Sequence, residues 1–252
     1  NGDAILRVVL FLKNTLKPAL FMKLIANQPS AVDHYVNHLA TTMKIYEASE
    51  ILMALERHHE AILLQFKVIV QSKNVIQKLE KLKVLQENLT KTPNNFLGTQ
   101  IKNYTTLLEM QINERLYFQP HDILEKSVLE TLYYACEKFP RFSDPTSTSS
   151  LTNPFKICED FNIAPAQFDW VALNQRARTQ AWKDIEDLFK KKSLVLKKKT
   201  FVISIPLEIA ILRLYQLKAP QAVLNSFLQH VEDPERRLML SKKVGAIHSI
   251  ID

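Results

Sequence analysis

Glycine is nearly missing from this chain, with three residues in 252 against an average usage of about 7%. Glycine supplies positive-φ turns, phosphate-cradling loops and hairpin tips. Its scarcity therefore argues against Rossmann folds, P-loop enzymes, sandwiches and barrels together. Gly2 lies at the terminus, and neither Gly98 nor Gly245 has a second glycine nearby, so no G-x-G-x-x-G or G-x-x-x-x-G-K-[ST] string exists. Cysteine is equally sparse. Cys136 and Cys158 form no C-x-x-C pair, which predicts two reduced, buried thiols. No apolar run approaches the ~18 residues that span a bilayer, and no signal peptide is recognisable. The chain opens without Met and stops in mid-pattern at Ile250-Ile251-Asp252, so a targeting segment can lie outside it.

What the chain has is helical periodicity. Hydrophobic residues make up 46% of it, enough for a sizeable core, and they recur at helical spacing almost throughout. Ile5, Val8, Val9, Leu12 and Leu16 mark one face, and Ile51, Leu52, Leu55, Ile62, Phe66 and Ile69 continue the pattern. From Val75 to Leu89 a narrower stripe of Ile76, Leu79, Leu82, Val84 and Leu85 remains. Ile101, Tyr104, Leu108, Ile112, Arg115 and Leu116 predict a long amphipathic helix, and its successor carries Ile123, Leu124, Val128, Leu132 and Ala135. The polar run Ser143 to Ser150 breaks the period and predicts a mobile loop, with Asn153-Pro154 and Ala164-Pro165 marking the return to helix.

Near the C-terminal end, Pro206, Pro220 and Pro234 are spaced 14 residues apart. Proline is favoured at the first turn of a helix, where its missing N–H costs nothing. In Asp233-Pro234-Glu235, the Asp is placed to cap and the Glu to complement the helix dipole. A 14-residue beat of short helices, each too small to be stable alone, requires neighbours on both sides. The expected fold is all-α: an α-solenoid of stacked antiparallel helices. It is expected to form one helical-repeat domain over 1–252, with a flexible Ser/Thr-rich loop at about 143–153.

Few residues are arranged for chemistry. His34 and His38 have i, i+4 spacing, but no Glu completes H-E-x-x-H and no third ligand is evident. His58 and His59 are consecutive and point about 100° apart on a helix. Asp184, Glu186 and Asp187 read as helix-surface charges. Nothing assembles a nucleophile, a base and an oxyanion site, so the expectation is a non-enzyme with no cofactor and no metal. Between Arg176 and Lys199 there are nine basic and three acidic side chains, in a chain whose net charge is +7. Lys190, Lys191, Lys192, Lys197, Lys198 and Lys199 flank Ser193 to Leu196. They are candidates for contact with an anionic lipid surface or nucleic acid. The plainer reading, a solvated loop facing an acidic partner, is preferred because aromatics for base stacking are missing.

Aromatic residues crowd the helices before the Ser/Thr loop. Tyr117-Phe118, Tyr133-Tyr134 and the pair Phe139 and Phe142 serve mainly as core. Adjacent aromatics cannot all point inward from one helix, so at least one of each pair is expected to face outward or meet another helix. An outward Tyr or Phe beside Arg115 has the composition of a protein–protein hot spot.

The stretch Arg176-Ala177-Arg178-Thr179-Gln180-Ala181-Trp182-Lys183-Asp184-Ile185-Glu186-Asp187-Leu188-Phe189 resembles a hallmark of the C-terminal region of the vacuolar protein sorting sixteen proteins. The likeness is to their B-type, or spermatogenesis-defective thirty-nine, branch. Phe11-Leu12-Lys13, Leu107-Leu108-Glu109 and Ala219-Pro220-Gln221-Ala222-Val223-Leu224 extend it. So does Val231-Glu232-Asp233 followed by Leu238, Leu240, Lys243, His248 and Ile250-Ile251-Asp252. These motifs are structural signatures rather than active-site strings. The linker before Pro206 is more lysine-rich than the family's, Ser193 to Ile205 lacks its Pro-Ile-Gly step, and the Ser/Thr loop and Val75 to Phe96 match poorly.

The resemblance implies a scaffold in endosomal and lysosomal trafficking, including phagosome maturation. It would bind an SM (Sec/Munc-type) protein, vacuolar protein sorting thirty-three B. In the A-type relative the SM protein grips helices just upstream of the Ala-Trp signature, which carries over to roughly Ile101 to Asn174. Within that window the candidate contact residues are Tyr104, Leu108, Arg115, Tyr117, Phe118, Tyr133, Tyr134, Phe139 and Phe142. The resemblance further implies a cytoplasmic protein held peripherally on late endosomes, recycling endosomes or lysosomes through its complex. Endosomal small GTPases are further candidate partners, nucleic acid is not expected, and an uncovered apolar face leaves room for self-association.

Overall fold

The computed structural model describes residues 2–89, 96–140, 142, 152–192 and 199–246. Among these, fourteen helices and one small hairpin follow in chain order. They are α1 (Gly2–Thr15), α2 (Pro18–Ala26), α3 (Pro29–Thr41), α4 (Ile45–Ala54), α5 (His58–Val70), α6 (Val75–Leu89), α7 (Phe96–Asn113), α8 (Val128–Lys138), α9 (Pro154–Asp160), α10 (Pro165–Arg178) and α11 (Trp182–Phe189). After the strands β1 (Lys190–Lys192) and β2 (Lys199–Phe201) come α12 (Leu207–Gln216), α13 (Gln221–Leu228) and α14 (Pro234–Val244). The chain packs as two compact units, Asn1–Glu109 and Met110–Asp252, with α7 running through the division.

The architecture is all-α and solenoid-like. Within each unit, helices pack mainly on the next helix or the next but one: α1 on α3, α3 on α4, α4 on α5 and α5 on α6 in the first; α8 on α10, α10 on α12 and α12 on α13 and α14 in the second. In the first unit Val9, Phe21, Ile25, Val32, Tyr35, Leu39, Ala48 and Ile51 form one apolar cluster. Phe21 meets Tyr35 edge-on at 5.5 Å. Tyr35 reaches its polar end out of that cluster, donating to Glu47 Oε1 at 3.2 Å, and Lys13 pairs with the same carboxylate.

The turns solve the shortage of glycine in an unexpected way. Met43, Glu56, Asn162, Gln180 and Lys218 all take φ between 50° and 61° just past a helix end. In each case the following N–H bonds back across the last turn, as in Arg57 N to Leu52 O at 2.8 Å, Ala181 N to Arg176 O at 2.9 Å and Ala219 N to Leu214 O at 3.0 Å. This is the Schellman closure, which normally places glycine at the left-handed position. Here only Gly245, after α14, follows that rule among the described residues, with φ 68°. Each non-glycine residue in this conformation costs about 1 kcal/mol, offset by a closure that starts the next helix two or three residues later.

Several sequence expectations hold. Pro206 and Pro220 are the caps of α12 and α13, and Pro234 opens α14 behind Asp233, whose carboxylate accepts from Glu235 N at 2.9 Å. Asn153 caps α9, accepting from Phe155 N at 3.0 Å, and Pro165 opens α10. Others need correction. The long helix ends at Asn113, so Arg115 and Leu116 lie beyond it. Ile123 and Leu124 lie before α8, because Ser127 starts that helix with a capping box. The pattern from Ile51 to Ile69 is split into α4 and α5 by the closure at Glu56. The lysine runs, expected as loop, contribute two antiparallel strands. The Ser/Thr run at 143–150 lies outside the described residues, while Thr152 and Asn153, assigned to the same loop, are buried.

Candidate partner-binding surface

The segment 114–127, between α7 and α8, is not helical, yet it is held at several points. Buried Gln111, in the last turn of α7, uses its whole amide. Its Nε2 donates to Lys126 O at 2.9 Å and to Thr131 Oγ1 at 2.8 Å, while its Oε1 accepts from Glu125 N at 2.9 Å. A buried amide satisfied at both ends is a rigid joint. Further along, the His121 ring stacks on Tyr134 with centres 4.5 Å apart, and its Nε2 lies 3.0 Å from Glu137 Oε1. Lys138 Nζ donates to Gln119 O at 2.7 Å.

Pinned in this way, the segment turns Phe118 and Ile123 fully inward and holds other side chains out. Leu116 is 80% exposed and Tyr117 37%, and Arg115 before them is exposed too. Helix α8 continues the surface. Its capping box is reciprocal: Glu130 N donates to Ser127 Oγ at 3.2 Å, and Ser127 N donates to Glu130 Oε2 at 3.0 Å. The bond from the Ser127 backbone, then that from its side chain, holds the Glu130 carboxyl below its ordinary range. Thr131, Leu132, Ala135 and Cys136 face the core. Leu129 and Tyr133, four residues apart, share an outer face, with Leu129 39% exposed.

The candidate residues divide sharply. Arg115 and Tyr117 are exposed, and Tyr133 and Tyr134 are half-buried beside the pinned segment. Tyr104 and Leu108 belong to the first unit. There Tyr104 is half-buried and edge-on to Phe66 at 6.0 Å, and Leu108 is fully buried. Phe118, Phe139 and Phe142 are core as well. With Leu108 they leave the contact list, because a side chain without surface cannot meet a partner while the fold is intact. Phe139 is on the same helical stripe as Leu132, Ala135 and Cys136, which explains its direction. The expectation that one ring of each pair faces outward or meets another helix is met by Tyr117, which is exposed, and by Phe139 and Phe142, which meet Phe155 of α9, Phe142 meeting Phe168 of α10 as well. The exposed apolar positions Leu116 and Leu129 were missed, and so was Gln111 as the joint that holds the segment between them. The Ser127-x-x-Glu130 spacing is the sequence signal that would have separated α8 from the segment before it.

The motif stretch from Arg176 to Phe189 is architectural. Arg176 ends its side chain over the ring of Phe142, which packs with Phe139, Phe155 and Phe168, and Asp184 Oδ2 lies 3.6 Å from its Nε. On the same helix, Asp169 Oδ2 accepts from Ser204 N at 2.6 Å, and Asn174 Oδ1 accepts from Arg213 Nε at 2.6 Å. Helix α10 is thus a polar hub inside the second unit. Cys136 and Cys158 are free. Burial pushes the Cys136 thiol well up, and burial, then Asp169, pushes Cys158 up to about 12. Both stay neutral near pH 7, and a neutral thiol is a poor nucleophile.

Of the lysines, Lys190 pairs with Glu186 at 3.1 Å. The strand register sets Lys190 opposite Phe201, Lys191 opposite Thr200 and Lys192 opposite Lys199. Lys197 and Lys198 lie outside the described residues. Phe201 anchors the hairpin against Phe189, Phe227 and His230, the last stacked on it at 4.0 Å. Burial, then Lys190, lowers the His230 pKa. Among the described residues no three His, Cys, Asp or Glu side chains come together as metal ligands, and no helix is long and apolar enough to cross a membrane. His34 packs over Gly2, while His58 and His59 are exposed at the start of α5.

No protein-family model matches the chain. Among curated proteins it is similar to the spermatogenesis-defective protein 39 homolog of Danio rerio, 27% identical over 264 residues, covering 100% of this chain and 53% of that protein. The homolog of Mus musculus is 27% identical over 270 residues, with 100% and 53% covered. Spermatogenesis-defective protein 39 of Caenorhabditis elegans is 23% identical over 210 residues, with 78% and 40% covered. The chain spans about half the length of the first two relatives.

Proposed function

We propose that this chain is a non-catalytic scaffold of the spermatogenesis-defective protein 39 type. It would bind an SM protein of the vacuolar protein sorting thirty-three B type in an endosomal and lysosomal trafficking complex. The observation that carries the reading is the pinned strip Arg115-Leu116-Tyr117, together with the outer face of α8 at Leu129 and Tyr133. Exposed apolar side chains held rigid lose little entropy on binding, and that preorganisation favours a protein partner. The strip lies inside the window that the family resemblance assigns to SM-protein contact. Likeness to the spermatogenesis-defective protein 39 homologs along the whole chain supports the same reading. A stable interface there would bury on the order of 1,600 Å², with Leu116 and Tyr117 as anchors and Arg115 at the rim. Peripheral residence on late endosomes, recycling endosomes or lysosomes, and any contact with small GTPases, would follow from the complex rather than from this chain alone.

Co-expression with the SM protein, followed by size-exclusion chromatography with light scattering, tests it. Co-elution at a defined mass is expected. It should be lost in a Leu116→Asp, Tyr133→Glu double variant whose helical content and melting are unchanged. Separate elution of the wild-type pair sinks the reading, and co-elution of the double variant moves the contact elsewhere.

A second reading rests on the hairpin. The strand pairing brings Lys190–Lys192 alongside Lys199 in one hairpin, and clustered cations attract an anion. An anionic lipid headgroup would supply one. Sedimentation with phosphatidylserine vesicles, before and after replacing all six lysines of the two runs with Gln, decides this; binding that survives the replacement removes the hairpin from consideration.

A further inference from the structure

We propose that the groove between α4 and α6 in the first unit binds an acidic amphipathic helix of another protein. The proposal is independent of the strip at Arg115 to Tyr117, which belongs to the second unit. Helices α4 and α6 each pack on α5, which forms the floor between them. Ile45, Val68, Ile69 and Leu85 line the trough, with Tyr46 on one lip and Val84 on the other. Tyr46 is 73% exposed and Val84 57%. The trough is preformed. Gln65, at its edge, donates from Nε2 to the hydroxyl of buried Ser49 and so ties α5 to α4. Leu82, Leu85 and Leu89 are buried along α6 and fix its rotation. Apolar surface held open in this way costs a partner little to organise.

Size and surroundings select the occupant. The groove encloses about 230 Å³, below the roughly 300 to 1,000 Å³ of small-molecule sites, which suits one or two apolar side chains. Strand addition requires a free sheet edge, and proline-rich segments require aromatic walls. The groove is walled by helices, and Tyr46 is the one aromatic residue among its described lining residues. A helix satisfies its own backbone and offers apolar side chains at i and i+3 or i+4.

Charge sets the sign of the partner. Around α6, Lys81 falls between Val84 and Leu85, on the groove side, whereas Glu80 falls beyond Val84 on the outer side. Lys83 is paired with Glu109, but Lys81 is exposed and pairs with no carboxylate among the described residues. At the other lip α4 begins at Ile45, and Lys44 before it gives no side-chain cap, so the positive end of the helix dipole lies beside Tyr46. The first-turn acid of α4, Glu47, is already paired with Lys13. Positive features on both lips of an apolar trough call for Asp or Glu flanking the partner's apolar stripe.

Display selection of random peptides of about 14 residues, four helical turns, against the whole chain tests this, with the Val84→Glu chain present as soluble competitor. Enriched sequences should carry two large apolar residues three or four apart, flanked by Asp or Glu. A fluorescein-labelled copy of the enriched peptide should gain helical circular dichroism on binding. Its Kd should rise about tenfold or more for Val84→Glu and for Lys81→Glu, both with unchanged circular dichroism, since both positions are exposed. Changing the peptide's flanking acid to Lys should restore binding to Lys81→Glu. Failure of any sequence to enrich over the competitor overturns the proposal. So does a consensus that is basic or stays non-helical when bound, or a charge exchange that restores nothing.

Discussion

The guanidinium of Arg176 lies 4.9 Å from the centre of the Phe142 ring while its Nη2 donates to the carbonyl of Phe139. Its side chain is 8% exposed. Planarity lets it stack on a ring, donate in its own plane and face Asp184 at once, which an ammonium cannot do. It joins α10 to the chain leaving α8, 37 residues away. Arg176→Ala should cost about 3 kcal/mol, since it leaves the Phe139 carbonyl unpaired and a gap over the Phe142 ring. Arg176→Lys should recover less than half of that loss. Urea unfolding followed by circular dichroism measures both, and a neutral Arg176→Ala would mean that the ring cluster alone holds the joint.

Gln111 holds the segment that carries the exposed strip Arg115-Leu116-Tyr117 without belonging to the strip. Gln111→Leu keeps the bulk but removes three hydrogen bonds, so it should destabilise the fold by about 2 kcal/mol. Amide exchange over 115–125 should rise far more than exchange in α12 to α14. Uniform acceleration across the second unit would show that Gln111 supports the core rather than the strip.

The non-glycine closures are a reserve of stability. Glu56→Gly, Gln180→Gly and Lys218→Gly each relieve left-handed strain at a helix end, and each should stabilise by about 0.5 to 1 kcal/mol. Substitution of Glu60, within α5 and only four residues on, by Gly should instead cost about 1 kcal/mol. Thermal melts of the four variants give the comparison; a loss of stability in all four would refute the assignment of strain to these turns.

Glu47 accepts from Lys13 and from buried Tyr35. The bond from Lys13 outweighs desolvation and holds the carboxyl below its ordinary 4.5. Desolvation pulls Lys13 down, but the bonds to Glu47 and Tyr35 outweigh it and raise its pKa. Glu47 is depressed in the folded state, so its contribution is complete above pH 4.5 and fades as pH falls through the lower folded value. The contribution is at most about 1 kcal/mol, because the pair is about one-third exposed. In melts between pH 7 and pH 3, Glu47→Gln should flatten the acid side of the stability profile. A profile unchanged by the substitution would assign acid loss to other carboxylates.

Much of the fold is legible in local signals. Scarce glycine, the Val75–Leu89 period, the proline beat and Asp233 before Pro234 each act over a few residues, and each led to the element found. The candidate surface was legible only in its window and composition. Arg115 and Tyr117 are exposed as expected, but Phe118, Phe139 and Phe142 went inside, and Leu116 and Leu129 took up the exposed positions.

The sequence by itself determined that the chain would be helical, with short elements, proline starts and too few glycines for phosphate loops, because periodicity and capping are properties of neighbouring residues. Only the tertiary structure decided which side of each apolar helix was spent on the core. Phe139 is buried because Arg176 and Phe155 come back to it, and Leu116 stands exposed in the segment whose far end Gln111 ties down at Glu125 and Lys126. Met43, Glu56, Gln180 and Lys218 hold left-handed turns that no local propensity favours. Their strain is sustained by the packing of the helices that each turn joins, α3 on α4, α4 on α5, α10 on α11 and α12 on α13, and that balance is written in no single residue of the turn.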